Sequence, residues 1–153
     1  MGENQIVDIL LIEDNMDEAQ LTIRNFKKSN LANGLLHLAD GAEALDFIFA
    51  RNNYASRQIE NVPKLILLDL KLPRVNGLDI LKAVKTDKRT KVIPVIVLTS
   101  SKEEPDITAS YELGANSYIV KPVDFASFSK AVVELGMYWM FLNVPPVSPG
   151  QKA

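Results

Sequence analysis

Four apolar runs of strand length punctuate the chain, at residues 6–12, 64–68, 92–98 and Ser117–Val120, each rich in Ile, Val and Leu. They are near-continuous rather than alternating, the pattern of strands buried on both faces in a parallel sheet covered by helices. A weaker run, Leu35–Leu38, follows an Asn33-Gly34 turn and supplies a fifth strand. Between the runs, Met16, Ala19, Ile23 and Phe26 recur at steps of three and four, as do Ala42, Leu45, Ile48 and Phe49, then Leu78, Leu81 and Val84. Pro105 suits the start of a fourth helix and Gly114 its end. The last helix opens on Asp124 as N-cap and is predicted to run to about Leu142. Five strand–helix alternations with short links imply right-handed crossovers and an α/β, doubly wound, five-stranded parallel sheet of strand order 2-1-3-4-5. On this reading residues 1–142 form one domain with a longer polar loop at 51–62, and 143–153 form a Pro-rich tail.

Composition removes several function classes. With 153 residues, 47% of them apolar and 24% charged, the chain can enclose a core and is not a disordered segment. A net charge of −2 gives no general attraction to nucleic acid or anionic lipid. The absence of cysteine excludes disulfides, thiolate catalysis and zinc–cysteine sites. The opening MGENQ lacks the basic and apolar regions of a signal peptide, and Ile6 stands where a myristoylation signal needs Ser or Thr. No apolar stretch approaches the roughly 20 residues that span a bilayer. A soluble, cytoplasmic protein without nucleic-acid or membrane partners is expected.

The polar residues that end the apolar runs carry the chemistry. Glu13 and Asp14 close the first run, Asp69 follows the run at 64–68, Thr99 the run at 92–98, and Lys121 the last. In a parallel sheet these ends share one edge, and ligands bind outside it where the winding direction reverses, between strands 1 and 3 in the order proposed. Any one of these residues could be an ordinary polar loop residue, but five at once, each at the matching strand end, could not easily be. Three carboxylates within about 5 Å repel by roughly 3 kcal/mol per pair at an effective dielectric of 20, so the cluster needs a cation or raised pKa values. An oxygen-only set suits a hard ion, best Mg²⁺, with waters and a phosphoryl oxygen completing its shell. Lys121 adds a fixed positive charge and Thr99 a hydroxyl donor, which describes a site for a phosphoryl group with a carboxylate as nucleophile.

The motifs LLIEDN (10–15), LILLDLKLPRVNGLDIL (65–81), PVIVLTSS (94–101) and GANSYIVKP (114–122), with the helix opening at Asp124, resemble the receiver domain of two-component signalling over residues 6 to about 142. The extended end YWMFLNVPP (138–146) and the polar loop at 51–62 are most similar to short stand-alone response regulators paired with bacterial phytochrome histidine kinases. The resemblance implies a flavodoxin-like (βα)5 fold and a phosphoacceptor switch rather than an enzyme. Asp69 would take the phosphoryl group, while Glu13, Asp14, Asp69 and the Lys71 carbonyl organise Mg²⁺. Lys121, Thr99 and Ser100 would bind the phosphoryl group. The Lys121–Pro122 bond would be cis, a geometry that costs only about 0.5–1 kcal/mol before proline. Thr99 and Tyr118 would form the switch, Thr99 moving to the phosphoryl group and the Tyr118 ring turning inward behind it. The Lys71 side chain, two positions past the acceptor, is expected to overhang the phosphoryl group and slow its loss.

On the last helix, Phe125, Phe128, Val132, Leu135, Trp139 and Leu142 form a core-facing stripe, but residues 137–142 are apolar all round. A helix apolar on every face has more to bury than one side of a domain can cover. Met137, Met140 and Phe141 are therefore expected on a homodimer surface, through the face of the fourth helix, fifth strand and last helix, with burial under residues 143–149 as the rival. With no room after residue 142 for an output domain, the signal would leave by protein–protein contact, and His37 would be structural. Three other readings compete. A haloacid-dehalogenase-like Mg²⁺-dependent phosphatase would carry its nucleophile in a D-x-D pattern on the first strand, which ends here in Glu13-Asp14-Asn15. A flavodoxin-like FMN carrier would meet repulsion from that acidic loop, and a degenerate receiver scaffold would lack site residues that this chain has.

Overall fold

The computed structural model of the chain describes residues 6–31 and 34–146. Five parallel strands, β1 (Ile9–Ile12), β2 (Leu35–Leu38), β3 (Leu65–Leu68), β4 (Val95–Thr99) and β5 (Ser117–Val120), form one sheet in the order β2-β1-β3-β4-β5. Five helices alternate with them: α1 (Met16–Lys28), α2 (Gly41–Ile48), α3 (Gly77–Thr86), α4 (Glu104–Glu112) and α5 (Phe125–Met137). The doubly wound architecture read from the apolar runs is the observed one. Asn33 of the anticipated turn and residues 147–153 of the Pro-rich segment lie outside the described residues.

Alternation along each strand divides the core in two. Leu10 and Ile12 of β1 face a layer with Ile66 and Leu68, under Phe47 and Ile48 of α2 and Ile80, Leu81 and Val84 of α3. Ile9 and Leu11 face the opposite layer with Leu65, Leu67, Ile96 and Leu98, under Phe26 of α1 and Phe128, Val132 and Leu135 of α5. Because both faces are covered, the central strands need no polar face, and β1, β3 and β4 are buried throughout.

Several boundaries and faces differ from the spacing-based expectation. The run at 92–98 becomes strand only from Val95, because Ile93 closes a turn on Thr90 and Pro94 has no N–H to give the ladder. On α2 the deepest side chains are Ala44, Phe47 and Ile48; of the anticipated stripe Ile48 is in the core and Leu45 and Phe49 pack at its edge, while Ala44 and Phe47 supply the rest of the buried face. Met16 and Phe125 stand exposed in the first turns of their helices, beside the polar rim, so each stripe begins one turn later. α5 ends at Met137 and continues as a π-helical turn, Tyr138–Leu142, closed by the Asn143 N–H donating to the Tyr138 carbonyl at 2.7 Å. That widened turn swings Leu142 out to solvent and lays Trp139 and Met140 against the α1–α5 core layer. Met140 is thus largely withdrawn from the surface on which it was expected, whereas Met137, Tyr138 and Phe141 remain exposed.

Gly77 fixes the position of the loop between β3 and α3. A Cβ there would lie 2.5 Å from the Asp69 carbonyl oxygen and 2.5 Å from the Leu70 Cα, both backbone atoms that cannot swing aside. Its N–H donates to the Leu70 carbonyl at 2.8 Å, and Asn76 caps the helix by accepting from the Asp79 N–H. Gly77→Ala is expected to force α3 away from the end of β3 at a cost of about 2–3 kcal/mol. Urea denaturation checks this, and an unchanged midpoint would show that the loop yields freely.

Candidate functional site

Register brings the site together. Ile12 pairs with Leu68, so the next residues, Glu13 and Asp69, emerge side by side, and the Asp69 N–H donates to the Ile12 carbonyl. Thr99 is the last residue of β4, and the Lys121 N–H donates to its carbonyl at 2.7 Å. All five residues read from the strand ends therefore occupy one rim, at the reversal point between β1 and β3. Glu13, Asp69, Thr99 and Lys121 are buried, and Asp14 is exposed at the mouth.

Carboxylate oxygens of Glu13, Asp14 and Asp69 lie within 4.8 Å of one another. The Lys121 ammonium sits among them, donating to Glu13 Oε1 at 2.6 Å, Asp69 Oδ2 at 3.0 Å and, from α1, Glu18 Oε1 at 2.5 Å. An ammonium has three N–H donors, and all three are engaged. Burial, offset in part by Lys121 and reinforced by the charge of Asp69, pushes the Glu13 carboxyl up to about 7. Burial acts the same way on Asp69, but the charge and hydrogen bond of Lys121, with help from Glu13 and Thr99, outweigh it and hold Asp69 below the usual carboxylate range. Lys121 is itself raised: its partners more than compensate its burial. Of the two buried carboxyls, Asp69 is therefore the more readily ionised. Burial and crowding at one rim thus raise the proton affinity of Glu13, the most deeply buried of the three carboxylates. This donor set fits a hard divalent ion held by Glu13, Asp14 and Asp69, which when bound would neutralise the clustered charge and polarise an oxygen brought to the rim.

The loop after β4 departs from expectation in detail. Ser100 is exposed, and the buried hydroxyl is that of Ser101, which donates to Asp106 Oδ2 of α4 at 2.5 Å. Tyr118 is half-buried, and its hydroxyl donates to the Ser101 carbonyl at 2.9 Å, tying β5 to this loop. The Lys71 N–H donates to Asp69 Oδ1 at 3.2 Å, while its side chain lies in solvent. The Lys121–Pro122 bond is trans, correcting the cis expectation: no cis peptide occurs among the described residues. Trans is the lower-energy isomer by about 0.5–1 kcal/mol, and with the Lys121 side chain already placed on the carboxylates nothing at the rim demands the other. His37 Nε2 meets the Glu13 carbonyl at 2.7 Å, so this nitrogen carries the proton and pins β2 to the end of β1. Glu18 and Ser101 escaped the reading of strand ends because one lies on a helix and the other two residues beyond a strand. The Asn15-x-x-Glu18 pattern marks a helix start and points the Glu18 carboxylate to the Asn15 N–H, not to Lys121.

Residues 9–133 match the response regulator receiver domain. The chain belongs to that family. It is 37% identical over 134 residues to response regulator Rcp1 of Synechocystis sp., covering 86% of this chain and 88% of that one. The Mn²⁺-bound crystal structure of Rcp1 superposes with a TM-score of 0.84 at 36% identity, over 90% of this receiver and 97% of that chain. The phosphorylated cyanobacterial phytochrome response regulator RcpA gives 0.84 at 33% identity (90% and 96% covered). The bacteriophytochrome response regulator RtBRR gives 0.71 at 46% identity (93% and 84% covered). The resemblance to stand-alone, phytochrome-associated receivers is thereby borne out. Five strands in the order 2-1-3-4-5 are the fold of these neighbours too.

Proposed function

We propose that this receiver accepts a phosphoryl group on Asp69 from the phosphohistidine of a sensor histidine kinase of the bacterial phytochrome type, using Mg²⁺, and passes the signal on through protein contacts. The observation that carries the reading is the Asp69 carboxylate, held ionised by Lys121 beside two further carboxylates. A carboxylate oxygen of Asp69 attacks phosphorus, the phosphorus–nitrogen bond of the donor breaks, and its electron pair leaves with the nitrogen. Glu13, Asp14, Asp69 and the Lys71 carbonyl would hold Mg²⁺, and Lys121, Thr99 and Ser100 would meet the phosphoryl oxygens. The Mn²⁺ in the Rcp1 structure and the phosphorylated state of RcpA support the same chemistry in similar proteins. The kinase class rests on the likeness to RcpA and RtBRR.

Thr99 and Tyr118 form the switch in this reading. Thr99 lies wholly buried at the end of β4, and the loop that follows it already holds the Tyr118 hydroxyl, so a pull on Thr99 reaches Tyr118 through three residues. The activity is that of a cytoplasmic phosphoacceptor, with residues 1–142 as the receiver and 143–153 as its tail. The wild-type chain incubated with phosphoramidate and Mg²⁺ is expected to gain one acid-labile phosphoryl group by intact mass. No gain, or steady turnover of simple phosphate esters, would overturn the reading.

Two further expectations follow. Lys71 is free to extend over the phosphoryl group, so Lys71→Ala should lose its phosphate faster than wild type; equal or slower loss refutes the overhang. The exposed apolar side chains of Met137, Tyr138, Phe141 and Leu142 support a homodimer through the α4–β5–α5 face and the end of the last helix. A dimeric mass is expected at micromolar concentration, and a monomer there removes the dimer.

A further inference from the structure

Glu18 occupies an unusual position for its place in the helix. It is the third residue of α1 after the N-cap Asn15, whose side chain accepts from the Glu18 N–H at 3.0 Å. A Glu there ordinarily bends back to the N-cap N–H and completes a capping box. Here that N–H is taken by Glu13 Oε2 at 3.2 Å, and the Glu18 carboxylate reaches Lys121 instead. The contact is deep at one end and open at the other: the Lys121 side chain is 4% exposed and that of Glu18 is 37% exposed.

Of the three carboxylates on Lys121, Glu18 is the one outside the metal-type cluster of Glu13, Asp14 and Asp69. A divalent ion would draw Glu13 and Asp69 away from the ammonium, whereas it has no such hold on Glu18. We propose that Glu18 is a built-in competitor for Lys121, an anionic stand-in that keeps the ammonium partly neutralised until a phosphoryl oxygen displaces it, and so restrains phosphoryl uptake. This rests on the phosphoacceptor reading of Asp69. Glu18 acts through Lys121, as a positioning residue whose charge opposes the incoming anion; a second negative group on the same ammonium lies within a few ångströms of any phosphoryl oxygen bound there.

The same arrangement sets two effects of opposite sign. Without the Glu18 charge, Lys121 attracts phosphoryl oxygens more strongly, and it also holds Glu13 and Asp69 more tightly against Mg²⁺. Glu18→Gln keeps the shape and an oxygen acceptor while removing the charge. At saturating Mg²⁺ it is expected to take phosphoryl from phosphoramidate roughly three- to ten-fold faster than wild type, while its Mg²⁺ Kd by calorimetry rises roughly two- to five-fold. Glu18→Ala should move both quantities in the same directions. Damage to the α1 start would instead lower the melting temperature and slow uptake. Unchanged or slower uptake in a Glu18→Gln protein that melts like wild type overturns the competitor. Failure of the wild type itself to take up phosphoryl overturns the underlying reading instead, so the two failures are separate.

Discussion

Asp69→Asn is expected to abolish phosphoryl uptake completely while leaving the fold intact. Asparagine has the same shape, and its Oδ1 can still accept from the Lys121 ammonium that now donates to Asp69 Oδ2 at 3.0 Å. The amide oxygen carries no full negative charge and is a poor nucleophile towards phosphorus, so the bond-forming step is lost rather than slowed. The change should also weaken divalent-ion binding, since one of three clustered carboxylates is gone. It relieves Glu13, whose carboxyl the charge of Asp69 helps to push up to about 7. The variant should therefore melt at or above the wild-type temperature in metal-free buffer. Intact mass after phosphoramidate treatment and a circular-dichroism melt read the two halves. An acid-labile phosphoryl group retained on Asp69→Asn would place the nucleophile elsewhere, with Asp14, the exposed neighbour, the first candidate.

The legibility of this site has a physical cause. In the central strands, covered on both faces, interior positions are apolar, so a polar residue appears only where the strand leaves the core. The first polar residue after each run thus reports the rim, and Glu13, Asp69, Thr99 and Lys121 were visible in the sequence for that reason. Helix and loop contributions carry no such marker. Glu18 lies in a helical turn among other acidic residues, where an acidic side chain is favoured by the helix dipole whatever its partner. Ser101 follows an equally polar Ser100, and only the turn of the chain decides which hydroxyl is buried. The end of α5 is opaque for a related reason: residues 137–142 are apolar throughout, so periodicity does not reveal a π-turn that changes which of them face inward. A Lys-Pro pair admits either isomer within about 0.5–1 kcal/mol, so residue type alone does not choose the trans form observed at Lys121–Pro122.

Lys121→Met should give the largest change in stability, and one that depends on metal and pH. Methionine reproduces the apolar stem of lysine as far as Cε but leaves Glu13 and Asp69, both buried, facing each other without their cation. Breaking a buried ion pair by removing one partner costs about 3–5 kcal/mol, because the remaining charge stays desolvated. The raised pKa of Lys121 means that its stabilising contribution is fully present below its unfolded value of 10.5, so between pH 6 and 8 it does not vary. The pH dependence in that range comes from the carboxylates. Glu13 binds its proton more tightly folded than unfolded, so metal-free wild type loses stability as pH rises from 4.5 to about 7. Without Lys121 that window extends upward, and the deficit of the variant should be larger at pH 8 than at pH 6. Mg²⁺ should do what the lysine no longer does: bind more tightly than to wild type and recover most of the lost stability. Phosphoryl uptake should still fall by roughly 10²–10³, since a preorganised charge at the phosphoryl oxygens is gone. Denaturant midpoints at both pH values, with and without Mg²⁺, test this. A deficit that is independent of pH and unmoved by Mg²⁺ would mean that Lys121 stabilises the rim by packing and not by charge.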